Sequence, residues 1–262
     1  MRHLLTFACE GVTLGASLDG AAGSIGVLLV TGGSQTRVGS HRMYERLAAG
    51  LSGLGYPAFR FDRRGVGDSE GADPGFRASE PDLLAAVAAF RRQCPHVRRV
   101  VGIGLCDGAT ALGLFGRRAD LDDLVLINPW LAEAEAGQPP AAAVKRHYRQ
   151  RLLTIDGWRR LLTGSVSYRK ILNGLIRIAR PQPTRLADAF ATALKDGPPT
   201  SLILARGDAT AIAAEAEWNS PRFARIRSAP IYVETNSHTF AKAGDPEALL
   251  TACVKSLERL SS

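Results

Sequence analysis

The stretch Gly104-Leu105-Cys106-Asp107-Gly108 decides the fold of this chain. It follows a short apolar run at 100–104, which is typical of a strand buried on both faces, and it precedes a helical pattern at 107–115. A residue at such a sharp strand-to-helix turn adopts strained backbone angles, so the residues two positions to either side must be small. The following helix points its first N–H groups at the turn and favours a thiolate there. The pattern predicts a nucleophilic Cys106; the alternative is an inert buried cysteine.

Strand and helix patterns alternate on both sides of this stretch. Strands are predicted at 3–9, 12–18, 25–30, 56–62, 100–104, 124–127, 201–205 and 231–234, and helices at 41–54, 80–92, 107–115 and 247–260. The first two strands form a hairpin around Glu10-Gly11. Alternation of this kind predicts an α/β fold with a mostly parallel central sheet flanked by helices.

One segment interrupts the alternation. Residues 131–199 contain no convincing buried strand, and they include basic stretches such as the one that carries Lys145, Arg146, Arg149 and Arg151. A loop this long inside a compact domain is rarely without structure, so we predict a helical lid insertion. The predicted organisation is a core in two parts, 1–130 with the nucleophile and 200–262 with the remaining site residues, separated by the lid at 131–199.

A nucleophilic cysteine needs a base, and the base needs an orienting group. Where the nucleophile lies on a strand-to-helix turn, the chain order is nucleophile, acid, histidine. His238 follows the last predicted strand, as this order requires, whereas His3, His41, His96 and His147 do not. Asp208 follows the strand at 201–205 and is the predicted acid; Glu215 and Glu217 are less well placed. The alternatives are an exposed loop histidine and a turn-forming Gly-Asp pair.

The oxyanion that forms on attack must be held by preorganised N–H groups. One is predicted to be the backbone N–H of Asp107, directly after the nucleophile. The other is expected in Gly32-Gly33-Ser34-Gln35, with Gly33 as the first choice and Ser34 as the second. This loop is not a phosphate loop, because the pattern G-x-x-x-x-G-K-[ST] is absent.

Composition limits the remaining function classes. The 262 residues are 45% apolar and carry a formal charge of +8 with a pI near 9.7, yet they contain no recognisable nucleic-acid-binding motif. The four cysteines show neither a disulfide framework nor metal-ligand spacing. No export signal and no apolar run long enough to span a bilayer are evident, so we expect a cytoplasmic protein without a membrane span. We expect no cofactor, no metal and no nucleic-acid partner, and the oligomeric state stays open.

Two further motifs resemble a known family. The loop Asp62-Arg63-Arg64-Gly65-Val66-Gly67-Asp68-Ser69 resembles the D-x-R-G-x-G-x-S loop of α/β-hydrolases. The segment from Gly32 to Arg42, taken with Gly104 to Gly108, is similar to the exosortase A system-associated hydrolases. The resemblance covers about 25–129 and 201–240. It implies an α/β-hydrolase fold and a cysteine hydrolase that acts on an ester or thioester within a pathway.

The expected reaction is acyl transfer through a thioester on Cys106, with a small-molecule acyl substrate. Acyl groups carried on coenzyme A or an acyl carrier protein suit the basic lid, because both carriers are anionic. An acyltransferase or cyclase is the second possibility, since a thioester also reacts with acceptors other than water. Dienelactone-hydrolase-like chemistry and a non-catalytic binding module complete the alternatives.

Overall fold

The central sheet of the molecule has eight strands. The computed structural model describes residues 1–131, 185–226 and 228–261. In chain order the strands are β1 (Arg2–Cys9), β2 (Val12–Asp19), β3 (Ile25–Val30), β4 (Ala58–Phe61), β5 (Arg99–Leu105), β6 (Asp123–Ile127), β7 (Thr200–Ala205) and β8 (Ile231–Val233). Their spatial order is β1-β2-β4-β3-β5-β6-β7-β8. The pairs β1/β2 and β2/β4 are antiparallel and all the others are parallel, which confirms the predicted mostly parallel sheet.

Six α-helices of the described part flank this sheet: α1 (Met43–Gly53), α2 (Glu80–Gln93), α3 (Asp107–Phe115), α4 (Arg185–Lys195), α5 (Ala209–Trp218) and α6 (Asp245–Ser261). Helix α1 packs against α6, α3 packs against both α2 and α4, and α5 packs against β7. The central strands β3, β5, β6 and β7 are buried along almost their whole length, because both of their faces are covered. The carboxyl ends of these four parallel strands meet at one edge of the sheet, where ligands bind in open α/β folds.

Two predicted elements begin two residues later than expected, each for a local reason. The helix predicted from His41 begins at Met43, because His41 and Arg42 have positive φ angles of 53° and 61°. The strand predicted at 56–62 is shorter and begins at Ala58, directly after Pro57, whose nitrogen carries no hydrogen to donate to a neighbouring strand. The predicted hairpin is confirmed, and Glu10 and Gly11 form its turn with φ angles of 46° and 82°.

Helix α4 lies inside the range predicted as the lid, but it packs on the core. Its buried residues recur along one face: Leu186, Ala187, Phe190, Ala191 and Leu194. Phe190 lies so close to Gly113 of α3 that a Cβ at Gly113 would come within 2.1 Å of the ring. The rest of the predicted lid, 132–184, lies outside the described residues, and the lid stays a prediction.

Candidate active site

Cys106 lies at the sharp turn between β5 and α3. Its backbone angles, φ 58° and ψ −125°, lie in a region that residues other than glycine rarely adopt. The carbonyl of Cys106 accepts hydrogen bonds from the N–H of Thr110 at 3.1 Å, from its hydroxyl at 3.1 Å and from the N–H of Trp130 at 3.2 Å. These three donors hold the turn in place, and the half-buried thiol stays accessible at the edge of the sheet.

The glycines around Cys106 are required by close backbone contacts. A Cβ at Gly104 would come within 2.8 Å of the nitrogen of Ala109, and a Cβ at Gly108 within 2.6 Å of the carbonyl oxygen of Thr31. Gly32 faces the same turn from the neighbouring loop, where a Cβ would come within 2.6 Å of the Leu105 carbonyl oxygen. The spacing read from the sequence therefore has the predicted steric cause.

His238 and Asp208 are in contact, although thirty residues separate them. Nδ1 of His238 lies 3.0 Å from Oδ2 of Asp208. The same carboxylate oxygen accepts the N–H of Ala211 at 2.9 Å, so Asp208 also caps the start of α5. Asp208 is buried and His238 is half-buried, with 33% of its side chain exposed. The contact at Nδ1 leaves Nε2 of His238 as the ring nitrogen available to the thiol.

The pKa of His238 is raised to about 10. The hydrogen bond with Asp208 is the largest cause and a hydrogen bond with the side chain of Cys106 is the second, while burial acts in the opposite direction. The three side chains predicted from the sequence are thus brought together in the order Cys106, His238, Asp208. The rival carboxylate of Glu215 is engaged elsewhere, since it accepts the hydroxyl of Tyr232 at 2.7 Å.

The loop that carries His238 is anchored to α6. The Thr235 hydroxyl donates to the carboxylate of Asp245 at 2.7 Å and accepts the N–H of Ser237 at 3.1 Å. Asp245 also accepts the N–H of Lys242 at 3.2 Å. These bonds connect the loop that carries His238 to the first residue of α6.

The loop after β3 is held by two charged side chains of opposite sign. The N–H of Gly33, the first choice for the oxyanion, donates to Oδ1 of Asp107 at 2.5 Å. The carbonyl of Gly33 accepts a hydrogen bond from Nη2 of Arg63. Gly33 has a φ of 58°, a conformation that glycine adopts without strain, and Ser34 next to it is exposed. Sequence reasoning missed both side-chain contacts, although it identified the loop.

The loop that follows β4 supports the same edge of the sheet. The carboxylate of Asp62 is fully buried, pairs with the guanidinium of Arg37 and accepts the N–H of Asp68 at 3.1 Å. Arg37 also reaches the hydroxyl of Ser17 at 3.0 Å. Gly67 passes so close that a Cβ there would lie 2.5 Å from the Asp62 carboxylate. The D-x-R-G-x-G-x-S pattern is therefore a loop built around one buried carboxylate.

Tyr44 connects the ends of the two strands that lead into the glycine loop and the nucleophile turn. Its buried hydroxyl donates to the carbonyl of Val30 at 2.8 Å and accepts the N–H of Leu105 at 3.0 Å. Complete burial raises the pKa of this phenol. Tyr44 thereby fixes β3 and β5 directly before the glycine loop and the nucleophile turn.

The described residues contain no group of three or more His, Cys, Asp or Glu side chains arranged to hold a metal ion. Within the same ranges, no helix is both long enough and apolar enough to cross a membrane. Cys9, Cys94 and Cys253 are buried free thiols, and burial raises the pKa of each.

The sheet order and the strand-to-helix turn after β5 are those of the α/β-hydrolase fold. The model of the alpha/beta hydrolase family matches residues 27–250, and the chain belongs to this family. Among curated protein sequences, none matches this chain.

Several solved structures share the fold at low sequence identity. An esterase of Pyrococcus furiosus aligns with a TM-score of 0.68 and 16% identity, over 99% of this chain and 92% of that chain. The alpha/beta hydrolase GrgF of Penicillium sp. sh18 aligns with a TM-score of 0.62 and 16% identity, over 99% and 98% of the two chains. A thioesterase domain from the curacin biosynthetic pathway aligns with a TM-score of 0.59 and 15% identity, over 97% and 99%. These likenesses show the fold.

Proposed function

We propose that this protein is a cysteine hydrolase that cleaves an ester or thioester through a covalent acyl intermediate on Cys106. The observation that carries the proposal is the contact of His238 with both Asp208 and Cys106, which raises the pKa of His238 to about 10. A histidine protonated at neutral pH beside a thiol stabilises the thiolate, which is the reactive form of cysteine.

In the first half-reaction the Cys106 thiolate attacks the acyl carbon, and the carbonyl electron pair moves to oxygen. The N–H groups of Asp107 and of the Gly33–Ser34 loop hold this oxyanion. When the carbonyl re-forms, the bond to the alcohol or thiol breaks, and His238 gives its proton to the leaving group. In the second half-reaction His238 takes a proton from water as the hydroxide attacks the thioester. The C–S bond of the tetrahedral intermediate then breaks, which releases the acid and restores the Cys106 thiolate beside protonated His238. Asp208 holds the Nδ1–H of His238 throughout.

The hydrogen bond between Gly33 and Asp107 adds a requirement to this mechanism. An N–H that donates to the Asp107 carboxylate at 2.5 Å does not serve the oxyanion at the same time. In our proposal the carboxylate turns away when the substrate carbonyl enters, which frees the Gly33 N–H; the N–H of Ser34 is the second candidate.

The proposed substrate is an acyl ester or thioester of a pathway intermediate. The resemblance to exosortase A system-associated hydrolases supports a pathway role, and the shared fold with a biosynthetic thioesterase domain supports a thioester. Coenzyme A or an acyl carrier protein as the carrier stays a proposal, because the basic stretch that favours it lies outside the described residues. Transfer to an amine or alcohol instead of water uses the same acyl-enzyme.

Intact-protein mass spectrometry with a panel of acyl thioesters and activated esters tests the proposal. We expect a transient mass gain in the wild type, no gain in Cys106→Ala and a persistent gain in His238→Ala, where water is no longer activated. Product analysis with and without an added amine or alcohol separates hydrolysis from acyl transfer. The absence of any adduct and any turnover across the panel would refute acyl-cysteine chemistry.

A further inference from the structure

Buried hydrogen-bond donors without a partner follow the carboxyl ends of three strands, at the edge of the sheet that carries Cys106. Among the described residues, the donors at this edge without a partner are the hydroxyl of Thr31, Nε and Nη1 of Arg63, and the side-chain amide nitrogen of Asn128. Thr31 directly follows β3, Arg63 lies two residues after β4, and Asn128 directly follows β6. All three residues are at most 2% exposed. Native proteins seldom leave buried donors unsatisfied, so these donors are available to a ligand that supplies acceptors.

Arg63 is the charged residue among these three, and it has no carboxylate partner within the described ranges. Within those ranges, the one hydrogen bond of its side chain goes from Nη2 to the carbonyl of Gly33. Asp62, which precedes Arg63 in the chain, pairs with Arg37, and Asp82 pairs with Arg64, the residue that follows. A buried guanidinium without a counter-charge is unfavourable, and an anionic ligand removes that penalty.

The position of Arg63 relates it to the proposed chemistry. In the sheet, β3 lies between β4 and β5, so the chain at Arg63 is two strand spacings from the chain at Cys106, or ~10 Å. The guanidinium is directed from β4 towards the loop after β3, which lies between it and the nucleophile. A group bound to Arg63 therefore lies beside the oxyanion loop, within reach of an acyl chain attached to Cys106.

We infer that the substrate carries an anionic group, most simply a second carboxylate, which binds Arg63 while its ester or thioester carbonyl reacts at Cys106. The inference rests on the proposed function and narrows its substrate class to half-esters or half-thioesters of dicarboxylic acids. Arg63 provides Nε and Nη1 as charge-assisted donors, and the Thr31 hydroxyl is an uncharged donor directly after the adjacent strand. Arg63 is thus a specificity-determining residue for this reaction.

The kinetic test uses N-acetylcysteamine thioesters, whose carrier is small and uncharged. Malonyl, succinyl, glutaryl and adipoyl thioesters are compared with unbranched alkanoyl thioesters of equal chain length. For at least one length we expect the wild type to prefer the anionic substrate by tenfold or more in kcat/KM. In Arg63→Gln we expect this anionic-to-neutral ratio to fall at least tenfold. In the control Arg117→Gln, which removes an exposed arginine of the same charge, the ratio is unchanged.

The ratio of kcat/KM for anionic and neutral substrates distinguishes recognition of the anion by Arg63 from positioning of the Gly33 loop by Arg63. If Arg63 only holds the Gly33 carbonyl, Arg63→Gln lowers kcat/KM for both substrate classes equally, and that result overturns the inference. The absence of an anionic preference at every chain length in the wild type overturns it as well.

A binding measurement tests the anionic subsite without requiring turnover. In Cys106→Ala, calorimetry with glutarate and succinate is expected to detect binding that is lost in Cys106→Ala/Arg63→Gln. Binding without acyl-enzyme formation would support the anionic subsite and count against the proposed reaction. Turnover of neutral thioesters without dicarboxylate binding would support the reaction and count against the subsite.

Discussion

Replacement of Asp208 by Asn isolates the electrostatic role of the contact with His238. Asparagine caps a helix about as well as aspartate, so the bond to Ala211 that starts α5 is kept while the charge is lost. A rise of the His238 pKa from 6.5 to about 10 corresponds to roughly 5 kcal/mol in favour of the protonated ring. Water reaches the exposed third of this side chain, and screening reduces the value to about 2–3 kcal/mol. Asp208 is the largest cause, so most of this energy is expected to disappear in Asp208→Asn.

The assay is the pH dependence of Cys106 alkylation by iodoacetamide, followed by mass spectrometry, together with turnover. We expect alkylation at neutral pH to slow by about ten- to a hundredfold, because the thiolate loses its protonated partner. Turnover is expected to fall by about 10³–10⁴, the order of the loss when a catalytic histidine loses its orienting carboxylate. Glu215→Gln, which removes a carboxylate from the helix that Asp208 caps, is the matched control. Wild-type alkylation and turnover in Asp208→Asn would refute the orienting role.

The same contact predicts a pH dependence of the free energy of unfolding. Because the folded-state pKa of His238 is raised, its stabilising effect is fully present below about pH 6.5 and is lost as the pH rises through about 10. Urea unfolding between pH 6 and pH 10 is expected to show this loss in the wild type and a much smaller one in Asp208→Asn. Equal slopes for the two proteins in that pH window would contradict the assignment.

Three further predictions concern the nucleophile turn. Cys106→Ser is expected to lose at least a hundredfold in turnover, because the pKa of a serine hydroxyl lies far above that of a thiol; full retention of activity would show that the site is not tuned for a thiolate. Gly108→Ala places a Cβ within 2.6 Å of the Thr31 carbonyl oxygen and is expected to cost about 1–3 kcal/mol in urea unfolding, together with activity; an unchanged midpoint would contradict the contact. Asp107→Asn is expected to strengthen inhibition by an aldehyde about tenfold. The hydrogen bond from the Gly33 N–H to the side chain of residue 107 must break before that N–H can bind the inhibitor's oxygen, and in the variant this bond is neutral and weaker by about 1.4 kcal/mol. Weaker inhibition would mean that the carboxylate positions the loop.

The nucleophile turn was predictable because its requirements are local. The spacing of Gly104 and Gly108 follows from contacts within six residues of Cys106 and from the loop that packs on them. The proximity of His238 and Asp208 was predictable for a different reason: the carboxyl ends of parallel strands meet at one edge, and only one histidine follows the last strand. Both inferences need the order of the elements and no side-chain geometry.

The contacts that modify the chemistry were not predictable in this way. The bonds from Gly33 to Asp107 and Arg63 depend on how two loops cross, and loops have no periodicity from which side-chain directions follow. Helix α4 was not predicted as a separate element, for another reason. The apolar spacing that ends at Leu194 was present in the sequence, but the whole segment around it was assigned to the lid.

The pairing of charges at this edge of the sheet explains why a charge on the substrate affects its binding. The carboxylates of Asp62, Asp82 and Asp208 each have a basic partner, in Arg37, Arg64 and His238. Asp107 and Arg63 differ, because within the described ranges the one side-chain hydrogen bond of each goes to the backbone of Gly33, at the N–H for Asp107 and at the carbonyl for Arg63. A negative oxyanion at the Gly33 N–H competes with Asp107 for the same donor, whereas a negative group at Arg63 has no competitor. A substrate whose anionic group binds Arg63 therefore gains binding energy without competing with the oxyanion for the Gly33 N–H.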